Sequence, residues 1–530
     1  MRSPFAPDDL VQTRPNVAVQ PLIHHYYAWL NLVSPLTAAM TFTKLHVPML
    51  RSFTDTPELH RRSARDPKLR GGMFVDLPDD SRERAAMLAS ALGDGQKAML
   101  SNAIDELSVL LEKAADGYDL SPRYRDVPQP LRGHVELVYD LNDHARVRYG
   151  EKLLYRSGHF DEAAHSVDLS LCTADARPFA MTTPRFPGSG HIHAAMPLRD
   201  PRIDLLCSAM STPRRFGDLR EAFEVSDSGL PEFSALFRTV GAPRPGRNLD
   251  GAGLRVRYFG HACVVVQSGQ VTVVTDPFLS DSLGDDRYIH ADLPDFLDYV
   301  IITHGHQDHL ELGTLLKLRH KTGVVVVPKT SSGALQDPSP KLCLEALGFP
   351  RVVDVEPGDI LEFDGGHITV CPFIGEHCDL DIGAKVTYAV RIEGRVLYFA
   401  ADNRGVDRIT FKHIHEMIGD ADQVFLGMEC DGAPLSWIYG PLFSRQIDPG
   451  MSRSRKLNGS NAVEAMGIVR ELRARQAYVY AMGREPWLVF IMATSYAENS
   501  YQLQQMAEFF QRCADAGVRA AELYGCAEVA

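Results

Sequence analysis

The sequence has no apolar run approaching the ~18–20 residues that a membrane-spanning helix needs, so no membrane span is expected. Met1 to Thr13 carry no apolar signal core, so no export signal is expected either. CxxC pairs are absent. The nine cysteines are scattered, and an odd, dispersed set suggests reduced thiols and a cytoplasmic protein. A basic excess is also missing: the net charge is −13, whereas general nucleic-acid binding wants a basic surface.

What is present is long enough for two or more domains, since 530 residues exceed one ordinary core. The charge is uneven. Residues 1–250 carry 30 Lys and Arg against 32 Asp and Glu, a net of −2, and the remainder carries 25 against 36, a net of −11. The near-neutral first half is therefore the better candidate for meeting an acidic partner.

Residues 1–50 are apolar and aromatic and read as helices or buried loops, with His24 and His25 as packed, satisfied imidazoles. Arg51 to Arg70 is arginine-rich, a solvated face or a docking patch. Lys97 to Ala115 is an amphipathic helix, with Leu100, Ile104, Leu107 and Leu111 at three- and four-residue steps. Val135 to Leu141 alternates as a half-buried strand, and Asn142-Asp143 can turn it into a partner through Val147 and Tyr149. The first half thus reads as α+β without a catalytic constellation; His191-Ile192-His193 alone has ligand spacing. The stretch 241–253, rich in Pro and Gly, reads as a linker. After it, short strands recur at Arg255–Phe259, Cys263–Gln267, Thr272–Thr275, Tyr299–Ile302 and Val324–Val327. A helical segment follows at Leu312–Arg319, as in a layered α/β domain.

Where the buried strand ending at Ile302 stops, Thr303-His304-Gly305-His306-Gln307-Asp308-His309 offers four metal-binding side chains within six residues. An extended backbone turns His304 and His306 to one side, and Asp308 and His309 can reach a second ion beside the first. Gly305 is expected to let the backbone fold tightly. His261 and Asp276 follow strands nearby. His261 lines the site or is a capped core histidine; Asp276 reads as a turn or N-cap residue. Glu376-His377 offers both an acid and a histidine. Asp402 ends a hairpin-like strand pair and suits a bridging carboxylate, which two cations about 3.5–4 Å apart need between them.

The His-x-His-x-Asp-His stretch resembles the signature of the metallo-β-lactamase superfamily, and the Asp402 segment resembles the one whose aspartate bridges the two metals there. Hydrolases of that superfamily also use a late histidine, but none occurs here after His415. If Glu376 ligates, the set His304, His306, His309, Asp308, Glu376 and Asp402 is harder and more anionic than a zinc hydrolase needs, and such donors favour oxidised iron. The order of these elements after a roughly 250-residue first half, with Glu376 beside His377 and the late Ala481-Met482-Gly483-Arg484-Glu485-Pro486-Trp487, resembles the chloramphenicol-pathway non-haem di-iron β-hydroxylases.

That resemblance implies an α/β protein. Residues 246–530 would form a metallo-β-lactamase-type αββα sandwich holding two irons. Residues 1–245 would form an α+β domain for dimerisation and carrier docking. It implies His304, His306 and Glu376 on one iron, Asp308 and His309 on the other, and Asp402 on both. It also implies O2 as co-substrate, and a substrate amino acid, L-4-aminophenylalanine in the prototype, tethered to a nonribosomal peptide synthetase carrier domain. No Gly-x-Gly-x-x-Gly opens a helix, so electrons must come from an external reductase. Arg453, Arg455 and Lys456 form a basic loop, either solvated or facing a phosphopantetheine phosphate. A dinuclear zinc hydrolase and a non-catalytic carrier-docking scaffold are the competing readings.

Overall fold

The β-branched runs that follow Gly253 pair into two seven-stranded sheets. The structure is a computed structural model and describes residues 3–114, 116–241, 246–249, 251–331 and 333–529. The first sheet runs Val352–Val355, Thr322–Pro328, Leu297–Ile301, Thr272–Thr275, Val264–Gln267, Arg255–Tyr258, Ala527–Glu528. The second runs Ile360–Phe363, Gly366–Cys371, Thr387–Ile392, Arg395–Phe399, Gln423–Gly427, Gln476–Tyr480, Arg519–Glu522. Val264 and Val266 enter the layer between the sheets, while Val265 enters the outer core. The same strand is thus buried on both faces, which is why it reads as a continuous apolar run.

Ile368, Val370, Leu397, Phe399 and Phe425 meet the first sheet from the other side. Helices Arg408–Ile418, Ala462–Glu471 and Tyr501–Asp515 cover the second sheet through Phe411, Ile414, Met466, Ile468 and Phe509. Leu312–Leu318 and Pro340–Ala346 cover the first. This is the expected αββα sandwich. The hairpin Thr387–Ile392/Arg395–Phe399 closes through Glu393 and Gly394, both at positive φ (48° and 73°), the turn that matches strand twist.

The first half departs from its sequence reading within residues 1–50, where Leu10–Thr13 and Tyr26–Tyr27 are short strands and His25 Nδ1, expected to be satisfied, is buried without a hydrogen-bond partner. Val17–Ile23 is a fully buried strand, paired antiparallel with His165–Leu171, where helix or buried loop was expected. With no exposed face it has no alternation to display. The helix at Gln96–Lys113 and the hairpin Val135–Tyr139/Ala145–Tyr149 are as expected; Ala115 lies outside the described residues. So do residues 242–245 and 250 of the expected linker, and with them the boundary placed between 245 and 246.

The two halves share one core. A single buried cluster runs from Val19, Leu30 and Phe53 through Leu206 to Val274, Leu312, Leu316 and Val327. Its polar counterpart is Tyr27, whose hydroxyl donates to Glu311 Oε1. Glu311 also caps the helix Leu312–Leu318, accepting from Gly313 N at 2.8 Å and Thr314 N at 2.6 Å. A hydrogen bond from a buried hydroxyl to a carboxylate contributes about 1–3 kcal/mol. Tyr27→Phe is therefore expected to lower the unfolding free energy by about that amount in urea titrations. An unchanged midpoint would show that the Tyr27–Glu311 contact does not couple the halves.

Candidate metal centre

Three parallel strands of the first sheet, Thr272–Thr275, Leu297–Ile301 and Thr322–Pro328, end at the same edge. That carboxyl edge is where open α/β sheets place ligands. Asp276 follows the first of these strands and the His304–His309 loop follows the second. From the other sheet come Glu376, beyond Gly366–Cys371, and Asp402, beyond Arg395–Phe399. His261, Asp276, Glu376 and Ala401 hold positive φ (50°, 31°, 65° and 47°) without being glycine. Such conformations cost of order 1–3 kcal/mol each and concentrate where function requires them.

Each imidazole has one nitrogen held from behind and the other turned inward. His304 Nδ1 meets Thr303 Oγ1 at 3.1 Å, His306 Nε2 meets the Tyr439 hydroxyl at 2.9 Å, and His309 Nδ1 meets Asp276 Oδ2 at 2.9 Å. Asp276 also accepts from the amide and hydroxyl of Thr303, both at 2.7 Å. The residue that read as a turn is therefore the brace of the whole loop, the kind of outer partner that fixes a ligating histidine's tautomer. Inside, His304 Nε2 and His306 Nδ1 stand 3.1 Å apart, and His306 Nδ1 lies 2.9 Å from Glu376 Oε1. His309 Nε2 faces Asp402 Oδ2 at 3.2 Å and Asp308 Oδ2 at 3.7 Å.

The donors fall into two buried groups, His304 with His306, Glu376 and His377, and His261 with Asp308 and His309. A third, His304 with His309 and Asp402, joins them, and within each group the donor atoms lie within 4.8 Å of one another. His309 Nε2 is buried without a hydrogen-bond partner, and Glu376 Oε2 lies against His377 Nδ1. Convergent, buried nitrogen and carboxylate donors fit a pair of metal ions, with Asp402 between them. His261 lines the site: its Nε2 meets Asp308 Oδ2 at 3.1 Å. Gly305 serves a different purpose from the one expected. Its φ is not left-handed, and a Cβ there would lie 2.6 Å from Leu30 Cδ2, so the first half presses directly on the ligand loop.

Burial keeps His304 neutral, its pKa well below the usual imidazole range. Burial alone would raise Glu376 and Asp308. Neighbouring imidazoles, His306 and His377 for the one and His309 and His261 for the other, outweigh it and hold both carboxyls low. Glu429 goes the other way: burial, then the charges of Asp402, Asp308 and Glu376, push its pKa far up. Sequence reading missed Glu429, Tyr439 and Trp437. Glu429 was findable, because it follows the buried strand Gln423–Gly427 as Asp402 follows its own. Of the basic loop, Arg455 and Lys456 are committed to Cys378 O and Asp431, while Arg453 stands in the last turn of the short helix Pro449–Ser454. His191 and His193 bracket Asp168 in the first half, away from the centre. Above the donors opens a cavity of about 580 Å³, lined from both halves by Phe74, Glu429, Trp437 and Tyr496 among others.

Two family descriptions match the chain: the diiron non-heme β-hydroxylase N-terminal domain over residues 12–240, and the β-lactamase superfamily domain over residues 272–479. The 4-amino-L-phenylalanyl-[CmlP-peptidyl-carrier-protein] 3-hydroxylase of Streptomyces venezuelae is 34% identical over 497 residues, covering 92% of this chain and 93% of that one. The crystal structure of CmlA, a diiron β-hydroxylase from Streptomyces venezuelae, superposes with a TM-score of 0.92 at 32% identity, over 98% of this chain and 99% of that one. A metal-dependent hydrolase of Listeria innocua is 25% identical over 155 residues, 28% of this chain and 63% of that one. Likeness of this extent through both halves makes the chain a member of the diiron non-haem β-hydroxylase family, oxygen-dependent enzymes with a metallo-β-lactamase-type domain.

Proposed function

We propose that this chain hydroxylates the β-carbon of an aminoacyl group held as a thioester on the carrier domain of a nonribosomal peptide synthetase. The observation that carries the reading is Asp402, which groups with His304 of one buried donor set and His309 of the other, beneath a cavity lined by both halves of the chain. The Streptomyces relative is named for a 4-amino-L-phenylalanyl group on a peptidyl carrier protein. L-4-Aminophenylalanyl, on the route to chloramphenicol, is the substrate we assign here, and the aromatic walls Phe74, Trp437 and Tyr496 suit its ring.

His304, His306 and Glu376 would hold one iron, Asp308 and His309 the other, and Asp402 both. When bound, the irons supply the oxygen-activating redox chemistry. Ring geometry favours Glu376 over His377 as the ligand. His377 stacks on His306, with centroids 4.6 Å apart at 21°, and its Nδ1 is turned against Glu376 Oε2. His304 Nε2 and Glu376 Oε1, by contrast, both approach His306 Nδ1, at 3.1 and 2.9 Å. The rest falls to the chain's own groups. Thr303, Tyr439 and Asp276 aim the imidazoles. Glu429, whose pKa is raised by burial and by the neighbouring carboxylates, lines the cavity beside the donors.

One oxygen atom of O2 enters the C–H bond and the other leaves as water, which takes two electrons and two protons from outside. An external reductase in the cytoplasm supplies the electrons, and the first half mediates a homodimer and carrier docking. No helix among the described residues is long and apolar enough to cross a membrane.

Protein from iron-sufficient cells is expected to hold about two irons per chain by metal analysis, as a two-metal site requires. Two zincs with hydrolase activity, and no oxygen uptake on reduction, would sink the oxygenase reading. Glu376→Ala is expected to lose metal while His377→Ala keeps it; the reverse outcome transfers the ligand role to His377. Glu376→His should retain metal yet slow the reaction of the reduced centre with oxygen, because a carboxylate can change between one- and two-oxygen binding and an imidazole cannot. Reduced enzyme given the carrier-loaded thioester should hydroxylate it, and given the free amino acid should not. Equal rates from both would remove the need for a carrier.

A further inference from the structure

The cavity above the metal centre is acidic at its floor and walls, with Asp308, Glu376, Asp402, Glu429 and Asp431 lining it. Among its described lining residues the only Lys or Arg side chains are Lys68 and Arg70, and both are exposed at its rim. Among the described residues neither side chain has an ion-pair or hydrogen-bond partner. Their neighbours differ: Arg61 is paired with Asp79 at 3.0 Å and Arg65 with Asp76 at 3.0 Å. Asp431, the exposed acid of the lining, is taken by Lys456. Two uncommitted cations thus stand at the entrance of a cavity whose other ionisable lining is rich in carboxyl groups.

The backbone that carries them is held in place. Leu69 N bonds Asp66 O and Gly72 N bonds Leu69 O, each at 3.0 Å, giving successive turns. Trp437 Nε1, from the catalytic half, donates to Gly71 O at 3.0 Å. Gly71 has φ +79°, and a Cβ there would lie 2.9 Å from Ala493 Cβ, so the strap from the first half lies flush on the second. Leu69, between the two, and Met73, just after them, are exposed apolar side chains on the same strap.

Resting on the carrier-bound substrate proposed above, we infer that Lys68 and Arg70 bind the phosphate of the carrier's phosphopantetheine arm. The arm joins its thioester to the carrier through a phosphodiester at the opposite end. With the acyl group at the buried floor, the phosphate emerges at the rim, where these two side chains are the available counter-charges. The two residues are positioning groups. They set how deep the arm reaches, and so where the β-carbon stops relative to the donors.

The test titrates the iron-loaded full-length enzyme calorimetrically with 4′-phosphopantetheine and, separately, with pantetheine, which lacks the phosphate. Wild-type enzyme is expected to bind the phosphorylated arm about tenfold or more tightly than the other, as charge-assisted contacts to one anion allow. Added salt should shrink that preference. Lys68→Ala/Arg70→Ala should bind both compounds alike, and Lys68→Arg/Arg70→Lys should restore the preference. Both side chains are exposed and unpartnered, so the exchanges leave the fold intact. Equal affinities in wild type, no binding of either compound, or a preference that survives in the double Ala variant overturns the assignment. The functional reading fails separately, if wild-type enzyme makes no hydroxylated product from the loaded carrier.

Discussion

Asp308, Glu376 and Asp402 are brought out of water into one small volume, and much of the surrounding structure answers to the cost of doing so. An isolated buried carboxylate loses several kcal/mol of hydration even after relaxation. Here the compensation is local. His306 and His377 flank Glu376, while His309 and His261 flank Asp308. A further acid in the same field, Glu429, has its pKa raised by burial and by these carboxylates. Imidazoles held by Thr303, Tyr439 and Asp276 present nitrogens that have no other use, and a pair of cations is the natural partner for this set.

Rigidity is the second requirement, because donors must stay converged when no ion holds them. The ligand loop is gripped on both sides by the first half of the chain. Leu30 lies against Gly305, and Tyr27 reaches Glu311 just beyond His309. These contacts come from segments nearly three hundred residues earlier, and they belong to one continuous apolar cluster. The first half is thus the back wall of the centre as well as part of its entrance. Removing it would strip a core from the catalytic sheet, so its contribution is better tested through single side chains than by truncation.

What could be read from sequence follows the range of the interactions. Strand Leu297–Ile301 and the donors after it were legible because a buried β-branched run and a dense ligand cluster are local signals. So was the hairpin ending near Asp402, with Glu393-Gly394 at its turn. Val17–Ile23 was not, since a strand buried on every side shows no period. Asp276 looked like a turn residue because one acid after a strand has the same local pattern whether it caps a turn or braces a histidine. Tyr439 and Trp437 were invisible for a different reason: their partners, His306 and Gly71, are distant in sequence and carry no shared motif. Arg455 and Lys456 looked free only because their partners, Cys378 O and Asp431, are likewise remote.

The uneven charge of the two halves then has a structural explanation. The catalytic half needs acids, for the donors and for the cavity beside them, and it carries the −11 of the −13 total. An acidic carrier approaching that half alone meets like charge over roughly a Debye length, ~8 Å at physiological salt. Cations placed on the catalytic floor would compete with metal for the same carboxylates. The arrangement avoids both problems by separation. Among the described lining residues, Lys and Arg side chains come only from the strap 66–74 of the near-neutral half, where both are exposed to meet an incoming anion. The same strap is anchored to Trp437 and pressed against Ala493, so a force on the rim is transmitted to the cavity wall through packed atoms. Fold, charge distribution and site therefore depend on one another: the acids call for metals, the metals call for a braced loop, and the half that braces the loop also supplies the charge that the acids exclude from the rest of the cavity.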